Sequence, residues 1–327
     1  MPERPHSGIL ETIGKTPLVK LQKMFPGGRP QVLAKVERFN PGGSVKDRSG
    51  LSMLREALRN GEITPGRSVV VESSSGNLAV GLAQACRYLG LRFICVVDAK
   101  TTEQNLSILR AYGAEVDVVE ERDTETGEFL PVRLRRVREL LDGIPNSYTP
   151  DQYGNLFNPR AHESTMREIA EALGGRLDYL FCSVGTFGTL RGCSDYIRDA
   201  GLGTKVVAVD AVGSAIFGQR PTRRLIPGHG ASVRPALMDP DAADEVVHVT
   251  DLDCVVQCRR LVDQEAILAG GSSGATLAAF AKMLPRIPPE SVCALIFPDG
   301  GDRYLKTIYS DVWVRETFGE VSHLWKD

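Results

Sequence analysis

Short apolar segments, each followed by a Gly- or Ser-rich loop and then an amphipathic helix, recur along this chain, and that order restricts the fold more than any other feature. Ser68-Val69-Val70-Val71-Glu72 runs into Ser73-Ser74-Ser75-Gly76-Asn77, then into a helical pattern from Leu78 to Leu89 with an Ala-rich face. Arg92 to Val97 predicts a strand and Glu103 to Tyr112 a helix stopped by Gly113. Glu115 to Val119 predicts a strand, Glu120 to Glu128 an exposed loop, and Phe129 to Leu141 a basic amphipathic helix stopped near Pro145. Strands separated by helices lie parallel, with helices on both faces.

The flanking segments keep the same style. Residues 1–15 read as a surface arm and Thr16 to Leu21 as a first strand. Between Gln31 and Phe39, Val32, Ala34 and Val36 alternate with Leu33, Lys35 and Glu37, a strand. Beyond residue 150 the expected elements are a helix over 159–173, a strand over 178–182 and a helix ending at Ala200. After these come strands over 205–210 and 245–249, a helix over 251–268, a helix opening at Gly270, and a strand over 291–297. Residues 213–244 are irregular and rich in Gly, Pro and Arg. Two closely joined α/β domains suit 327 residues.

In open α/β sheets ligands sit beyond the carboxyl ends of the strands. Four Gly/Ser/Thr loops occupy such positions, at 40–46, 73–77, 183–189 and 270–274. Gly185-Thr186-Phe187-Gly188-Thr189 leads into a helix, where backbone N–H groups and two hydroxyls suit a phosphate; a tight strand-to-helix turn is the plainer reading. Ser73 to Asn77 suits a carboxylate, since ordinary capping accounts for one serine but not for three with an asparagine. Ser272 and Ser273 read either as caps or as ligand groups, and Gly270 and Gly271 allow close approach of a flat ligand.

The first of these loops carries a lysine. In Asn40-Pro41-Gly42-Gly43-Ser44-Val45-Lys46-Asp47-Arg48 the prolyl and glycyl residues break the strand, Ser44 can cap, and a helix begins around Lys46. The positive end of a helix disfavours an ammonium, and the neutral amine is the form that condenses with a carbonyl. A solvated turn lysine is the alternative. A carbonyl-binding lysine, a phosphate cradle and a carboxylate loop together describe a pyridoxal-phosphate enzyme acting on an amino acid.

Composition excludes other classes. The net charge of −2 gives no electrostatic case for nucleic acid or an anionic membrane. No apolar run has the length of a membrane span and no apolar leader is evident, so a cytoplasmic protein is expected. Seven cysteines lack any C-x-x-C pair and five histidines are scattered, so no metal centre is expected. The cysteines read as small core residues, with Cys254 and Cys258 on one helix face. Neither a phosphate-binding G-x-x-x-x-G-K-[ST] nor a G-x-G-x-x-G after a strand is present.

On Asn40–Arg48, Ser75-Gly76-Asn77, Gly185-Thr186-x-Gly188-Thr189 and Gly270–Gly274, in that order, the chain resembles the cysteine synthase / cystathionine β-synthase family, from Thr16-Pro17-Leu18 to Arg303-Tyr304-Leu305. The resemblance implies fold type II of the pyridoxal-phosphate enzymes, a tryptophan synthase β-like pair of three-layer α/β domains. It implies a large cofactor-binding domain of residues 1–39 with 148–327 and a small mobile substrate-binding domain of residues 40–147. It also implies a homodimer. Lys46 would hold the cofactor's aldehyde carbon and move the substrate α-proton, Asn77 would bond the ring 3-oxygen, and Ser272 would contact the pyridine nitrogen. Gly185, Thr186, Phe187, Gly188 and Thr189 would line the phosphate site. Ser74, Ser75, Gly76 and Gln152 would take the substrate carboxylate.

Departures from the cysteine synthase pattern narrow the branch. Leu78 and Ala79 replace a Thr-Gly, Phe187 stands where glycine is usual, and Tyr153 where phenylalanine is common. The segments 213–218, 227–232 and 302–311 are most similar to the branch serving 2,3-diaminopropionate synthesis for siderophores and antibiotics. That branch joins O-phospho-L-serine to L-glutamate. Arg133, Arg135, Arg136 and Arg138 crowd one helix, and Arg133 matches an arginine of that branch. Guanidinium groups suit phosphate and carboxylate. The alternative is a solvated basic face with Leu134, Val137 and Leu141 turned inward. Arg223, Arg224 and Arg234 are weaker candidates, and a lone loop histidine such as His229 is more often incidental. Cysteine synthesis from acetyl- or phosphoserine with sulfide, and a non-catalytic cofactor-binding partner protein, are the competing functional readings.

Overall fold

The computed structural model describes residues 5–124 and 127–326. In chain order its elements begin with β1 (Leu18–Lys20), β2 (Gln31–Val36), α1 (Lys46–Arg59), β3 (Val69–Ser73), α2 (Asn77–Leu89) and β4 (Arg92–Asp98). Next come α3 (Glu103–Ala111), β5 (Glu115–Val119), α4 (Leu130–Gly143), β6 (Ser147–Tyr148) and α5 (Phe157–Ala172). The remainder are β7 (Tyr179–Ser183), α6 (Gly188–Asp199), β8 (Lys205–Ala211), β9 (Glu245–Val249), α7 (Asp251–Glu265), α8 (Gly271–Met283), β10 (Val292–Phe297) and α9 (Asp311–Phe318).

These elements form two compact units: Met1–Ile13 with Asn40–Asn158, and Gly14–Phe39 with Pro159–Asp327. The units divide at 39/40, and the N-terminal arm and residues 148–158 fall in the first unit for a physical reason. Leu10 and Ile13 of the N-terminal arm, and Tyr148 and Phe157, pack into the core of the first unit. Burial of such side chains is worth ~1.5–3 kcal/mol each, enough to decide where a short arm lies.

The first unit has a four-stranded parallel sheet in the order β5-β4-β3-β6. The two-residue period of β3 sends Val70 to one face, against α1 and α2, and Val69 and Val71 to the other, against α4. Gly50 of α1 and Gly81 of α2 let the two helices pack closely: a Cβ on Gly81 would lie 3.2 Å from the Lys46 carbonyl oxygen.

The second unit has a six-stranded sheet, β1-β2-β10-β7-β8-β9, parallel except for β1 against β2. Its middle strand β10 carries no polar side chain and is buried throughout, as a strand covered on both faces must be. Cys293, Leu295 and Phe297 face α7 and α8, while Val292, Ala294 and Ile296 face α5 and α6. Each unit is therefore a three-layer α/β sandwich.

Local departures from expectation have local causes. Ala266 takes φ +57°, which ends α7 at Glu265 rather than near 268. The alternation through 31–39 gives way to a 3-10 turn at Glu37–Phe39. All seven cysteines are buried thiols outside any disulfide, as core residues. Among the described residues no cluster of metal-ligating side chains occurs, and no helix is long and apolar enough to cross a membrane.

Candidate active-site residues

Lys46 opens α1 in the first unit. The Gly43 N–H donates to the Asn40 carbonyl at 2.8 Å, and Gly43 takes φ +87°, a turn that suits glycine. The Gly42 N–H donates to the Asp47 carboxylate at 2.5 Å, and a Cβ at Gly42 would lie 2.6 Å from that carboxylate. Ser44 Oγ accepts the Lys46 N–H at 3.2 Å, so the serine serves the helix start from just outside it. The lysine itself is half-buried.

Ser73 to Asn77 joins β3 to α2 in the same unit. Ser74 Oγ accepts the Ala79 N–H at 3.2 Å, within the first turn of α2. Cys95 Sγ donates to the Ser74 carbonyl at 3.1 Å, and Asn105 Nδ2 to the Ser75 carbonyl at 2.9 Å. The Ser74 and Ser75 carbonyls are thus engaged within the unit. Asn77 is the first residue of α2, one turn before Gly81 and its close contact with the start of α1.

Arg133 belongs with this loop. Its Nη1 lies 3.4 Å from Ser75 Oγ and 3.3 Å from Asp98 Oδ2, and its side chain is 13% exposed. The expected inward stripe is therefore corrected at one position. Leu134 is 38% exposed, whereas Val137 and Leu141 pack inward together with Val132, Leu140 and Ile144, and Arg133 turns to the same side. Arg135 and Arg136 are on the outer side, paired with Asp123 and with Asp117 and Glu139. The Asp117 hydrogen bonds, then those of Glu139, raise the pKa of Arg136.

Gln152 is buried, and its carbonyl accepts Asn158 Nδ2 at 2.8 Å. Asp151 takes φ +51° and receives the Tyr153 N–H on its carboxylate, which fixes the turn. Burial raises the phenol of Tyr153, and the charge of Arg133 opposes that shift, so the two side chains are neighbours. Ser74, Ser75, Arg133 and Tyr153 thus gather in one unit, joined by residues that spacing alone did not single out: Glu72, Cys95, Asp98 and Asn105. Glu72 and Asp98 each end a parallel strand with a charge, a signal the strand-end rule could have used.

The second unit carries the other two loops. Ser183 ends β7, and Gly185 to Thr189 lead into α6. No side chain caps α6, so the N–H groups of its first turn are left for an anion. Thr186 and Thr189 are buried hydroxyls there, and a Cβ on Gly185 would come within 2.7 Å of the Gly228 carbonyl oxygen. Phe187 sits at φ +73°, unusual for a side chain, and its ring packs against Phe217 with centroids 5.9 Å apart. Its bulk goes into the core.

His229 is not incidental. It is 1% exposed, Ser183 Oγ lies 2.9 Å from its Nδ1, and the adjacent Gly230 N–H donates to the Val184 carbonyl at 2.8 Å. The histidine segment buttresses the cradle from behind. Arg224 secures the same segment through the Gly213 carbonyl and Ser232 Oγ. Gly270 begins α8 without a side-chain cap, and a Cβ there would fall 1.9 Å from an Asp299 oxygen. Ser272 is in the first turn of α8, buried. An uncapped helix start lined by hydroxyls and a crowded glycine cradle fit the phosphate of pyridoxal phosphate, and a serine at a second helix start fits its ring nitrogen.

The pyridoxal-phosphate dependent enzyme family model matches residues 9–299. The chain is 44% identical over 307 residues to an N-(2-amino-2-carboxyethyl)-L-glutamate synthase of Ralstonia nicotianae, covering 94% of this chain and 90% of that protein. The crystal structure of O-ureido-L-serine synthase superposes with a TM-score of 0.86 at 32% identity, over 94% of this chain and 96% of that one. That of O-acetylserine dependent cystathionine β-synthase from Helicobacter pylori gives 0.86 at 32% identity, over 94% of this chain and the whole of the other. With its loops, its two parallel sheets and its matching relatives, the chain belongs to the pyridoxal-phosphate dependent enzymes of the cysteine synthase type.

Proposed function

We propose that this enzyme joins O-phospho-L-serine to L-glutamate, forming N-(2-amino-2-carboxyethyl)-L-glutamate and releasing phosphate. The glutamate nitrogen bonds to the serine Cβ, the Cβ–O bond breaks, phosphate leaves with the electron pair, and the amine gives up a proton. The observation that carries this reading is the inward Arg133 guanidinium at the Ser75 hydroxyl. Sulfide needs no cation, whereas a phosphorylated donor and a dianionic acceptor do. The synthase activity for which the Ralstonia relative is named supports the same choice.

Bound pyridoxal phosphate supplies the electron sink that acidifies the substrate Cα proton and lets the β-substituent depart. The chain's residues do the rest. Lys46 would hold the cofactor covalently through its amine; once the substrate amine displaces it, the freed Lys46 amine would take the proton from Cα. Asn77 donates to the ring 3-oxygen. Gly185, Thr186, Phe187, Gly188 and Thr189 hold the phosphate through backbone N–H groups and hydroxyls. Ser272 would meet the ring nitrogen with a hydroxyl, which unlike a carboxylate would not hold that nitrogen protonated and would favour loss of the β-substituent. Ser74, Ser75, Gly76 and Gln152 bind the substrate carboxylate, with Tyr153 and Arg133 beside them. The protein works as a cytoplasmic homodimer in 2,3-diaminopropionate supply for a siderophore or antibiotic.

The test offers the holoenzyme phosphoserine or acetylserine, each with glutamate or sulfide, and identifies products by mass spectrometry. The adduct from phosphoserine and glutamate is expected to dominate. Cysteine as the sole product would assign the enzyme to sulfide instead.

A further inference from the structure

Glu72 is the last carboxylate one would place beside an anion site, yet it immediately precedes the Ser73–Asn77 loop. It is 4% exposed at the end of β3. Its Oε1 accepts the Ser73 N–H at 2.9 Å, and the carboxyl also lies against the N–H groups of Asp151 and Gln152. Its Oε2 makes no hydrogen bond of good geometry, so the group is buried with half its acceptor capacity unused. A buried ionised carboxylate with that deficit is costly, and a protonated one costs less.

We propose that Glu72 is a positioning residue whose buried carboxyl ties the Ser73–Asn77 loop to the Asp151–Tyr153 turn and which, while uncharged, lets that loop accept the substrate carboxylate. Ionised, it sets a like charge behind the loop and weakens that binding. The proposal rests on the reading that Ser74 and Ser75 bind the substrate carboxylate.

Burial pushes the Glu72 carboxyl up to about 8, with the Asp151 charge adding and the Ser73 hydrogen bond opposing. The titratable neighbours are Cys95 of β4, Tyr148 of β6, and Asp151 and Tyr153 of the turn. Burial holds Cys95 and Tyr148 at about 12, so both stay neutral between pH 7 and 9.5. Arg133 of α4 acts on Cys95 and Tyr153 and is paired with Asp98 throughout. Glu72 is thus the member of this group that changes charge in that window.

The test titrates the holoenzyme with L-serine, which has the substrate's carboxylate and amine but a poor leaving group. Binding is followed by visible absorbance at pH 7 and at pH 9.5, in wild type, Glu72→Gln and Ser74→Ala. The wild-type Kd is expected to weaken by about tenfold more than that of Glu72→Gln across the interval, since two charges several ångströms apart in a half-buried site repel by at least that factor. Titration of the serine amine is common to both proteins and cancels. Coincident pH dependence in the two would overturn the proposal. A Ser74→Ala protein that binds L-serine as tightly as wild type would sink the carboxylate-loop reading, and the Glu72 proposal with it. If Glu72→Gln does not fold, the wild-type infrared spectrum decides. A protonated-carboxyl band at pH 7, lost by pH 9.5, supports the proposal, and its absence at pH 7 refutes it.

Discussion

Arg133 and Asp98 form an ion pair at 3.3 Å in which both side chains are nearly buried, at 13% and 9% exposure. They project from α4 and from the carboxyl end of β4, so a permanent cation is held in place before any substrate arrives. Its Nη1 is shared between the carboxylate and the Ser75 hydroxyl. A second anion can therefore be met by a side chain that is already oriented, which lowers the entropy cost of binding it.

Arg133→Ala should raise KM for phosphoserine or glutamate by tenfold or more while the bound-cofactor absorbance is unchanged. Arg133→Lys should recover only part of the loss, because an ammonium lacks the planar fork. Arg133→Ala should also be less stable, since it leaves the nearly buried Asp98 carboxylate without its cation. Steady-state kinetics with each substrate varied in turn checks the first point. Unchanged KM values for Arg133→Ala would make Arg133 purely structural.

Lys46→Ala should abolish the visible absorbance of the covalently held cofactor and all turnover. Thermal stability should change little, because the side chain is half-buried at a helix start. A spectrum matching wild type would remove Lys46 from its assigned role.

Phe187→Gly trades two effects. Glycine relieves the φ +73° backbone, worth ~1–2 kcal/mol, and forfeits the ring's packing on Phe217, worth ~3–5 kcal/mol. The net expectation is a destabilised protein that still binds cofactor through its backbone. Phe217→Ala should destabilise similarly, and the double variant should lose less than the sum. Denaturant unfolding of the three variants tests this, and strict additivity would argue against the pairing.

His229 gives a pH dependence with a defined sign. Burial first, then the charges of Arg224 and His248, lower its pKa from 6.5 to about 3. The unfolded chain therefore binds a proton that the folded one refuses. Its stabilising contribution is full above pH 6.5 and is lost as pH falls from there toward 3, by an amount on the order of a few kcal/mol. His229→Asn should be weaker at pH 7 yet lose less on acidification to pH 4. Urea midpoints at the two pH values would show it, and parallel losses in both proteins would refute it.

Much of the fold is legible in the sequence because its signals are local. The short apolar runs of β3, β4, β7 and β10 and the helices between them require only residue periodicity. The breaks at Gly42-Gly43 and at Gly113 follow from backbone freedom and turn chemistry. The short β6 and the C-terminal helix α9 lack such signals. A two-residue strand has no period to read, and α9 takes its start from a single Ser310 cap.

What the sequence determines by itself is the alternating α/β order, three of the four loops as links from strand to helix, and a lysine opening a helix in one of them; the fourth, 270–274, instead opens α8 directly after α7. Each depends on neighbours within a few residues of the chain. Only the tertiary structure decides that Arg133 rather than Leu134 turns inward, that Phe187 pairs with Phe217, that His229 packs behind the 183–189 loop, and that Glu72 is sealed behind the Ser73–Asn77 loop. The free energies behind those choices come from burial and from partners 20 to 80 residues away in sequence, such as Asp98, Phe217, Ser183 and Gln152. No local pattern encodes which of several arginines or acids will find its counter-group once the strands have been laid side by side.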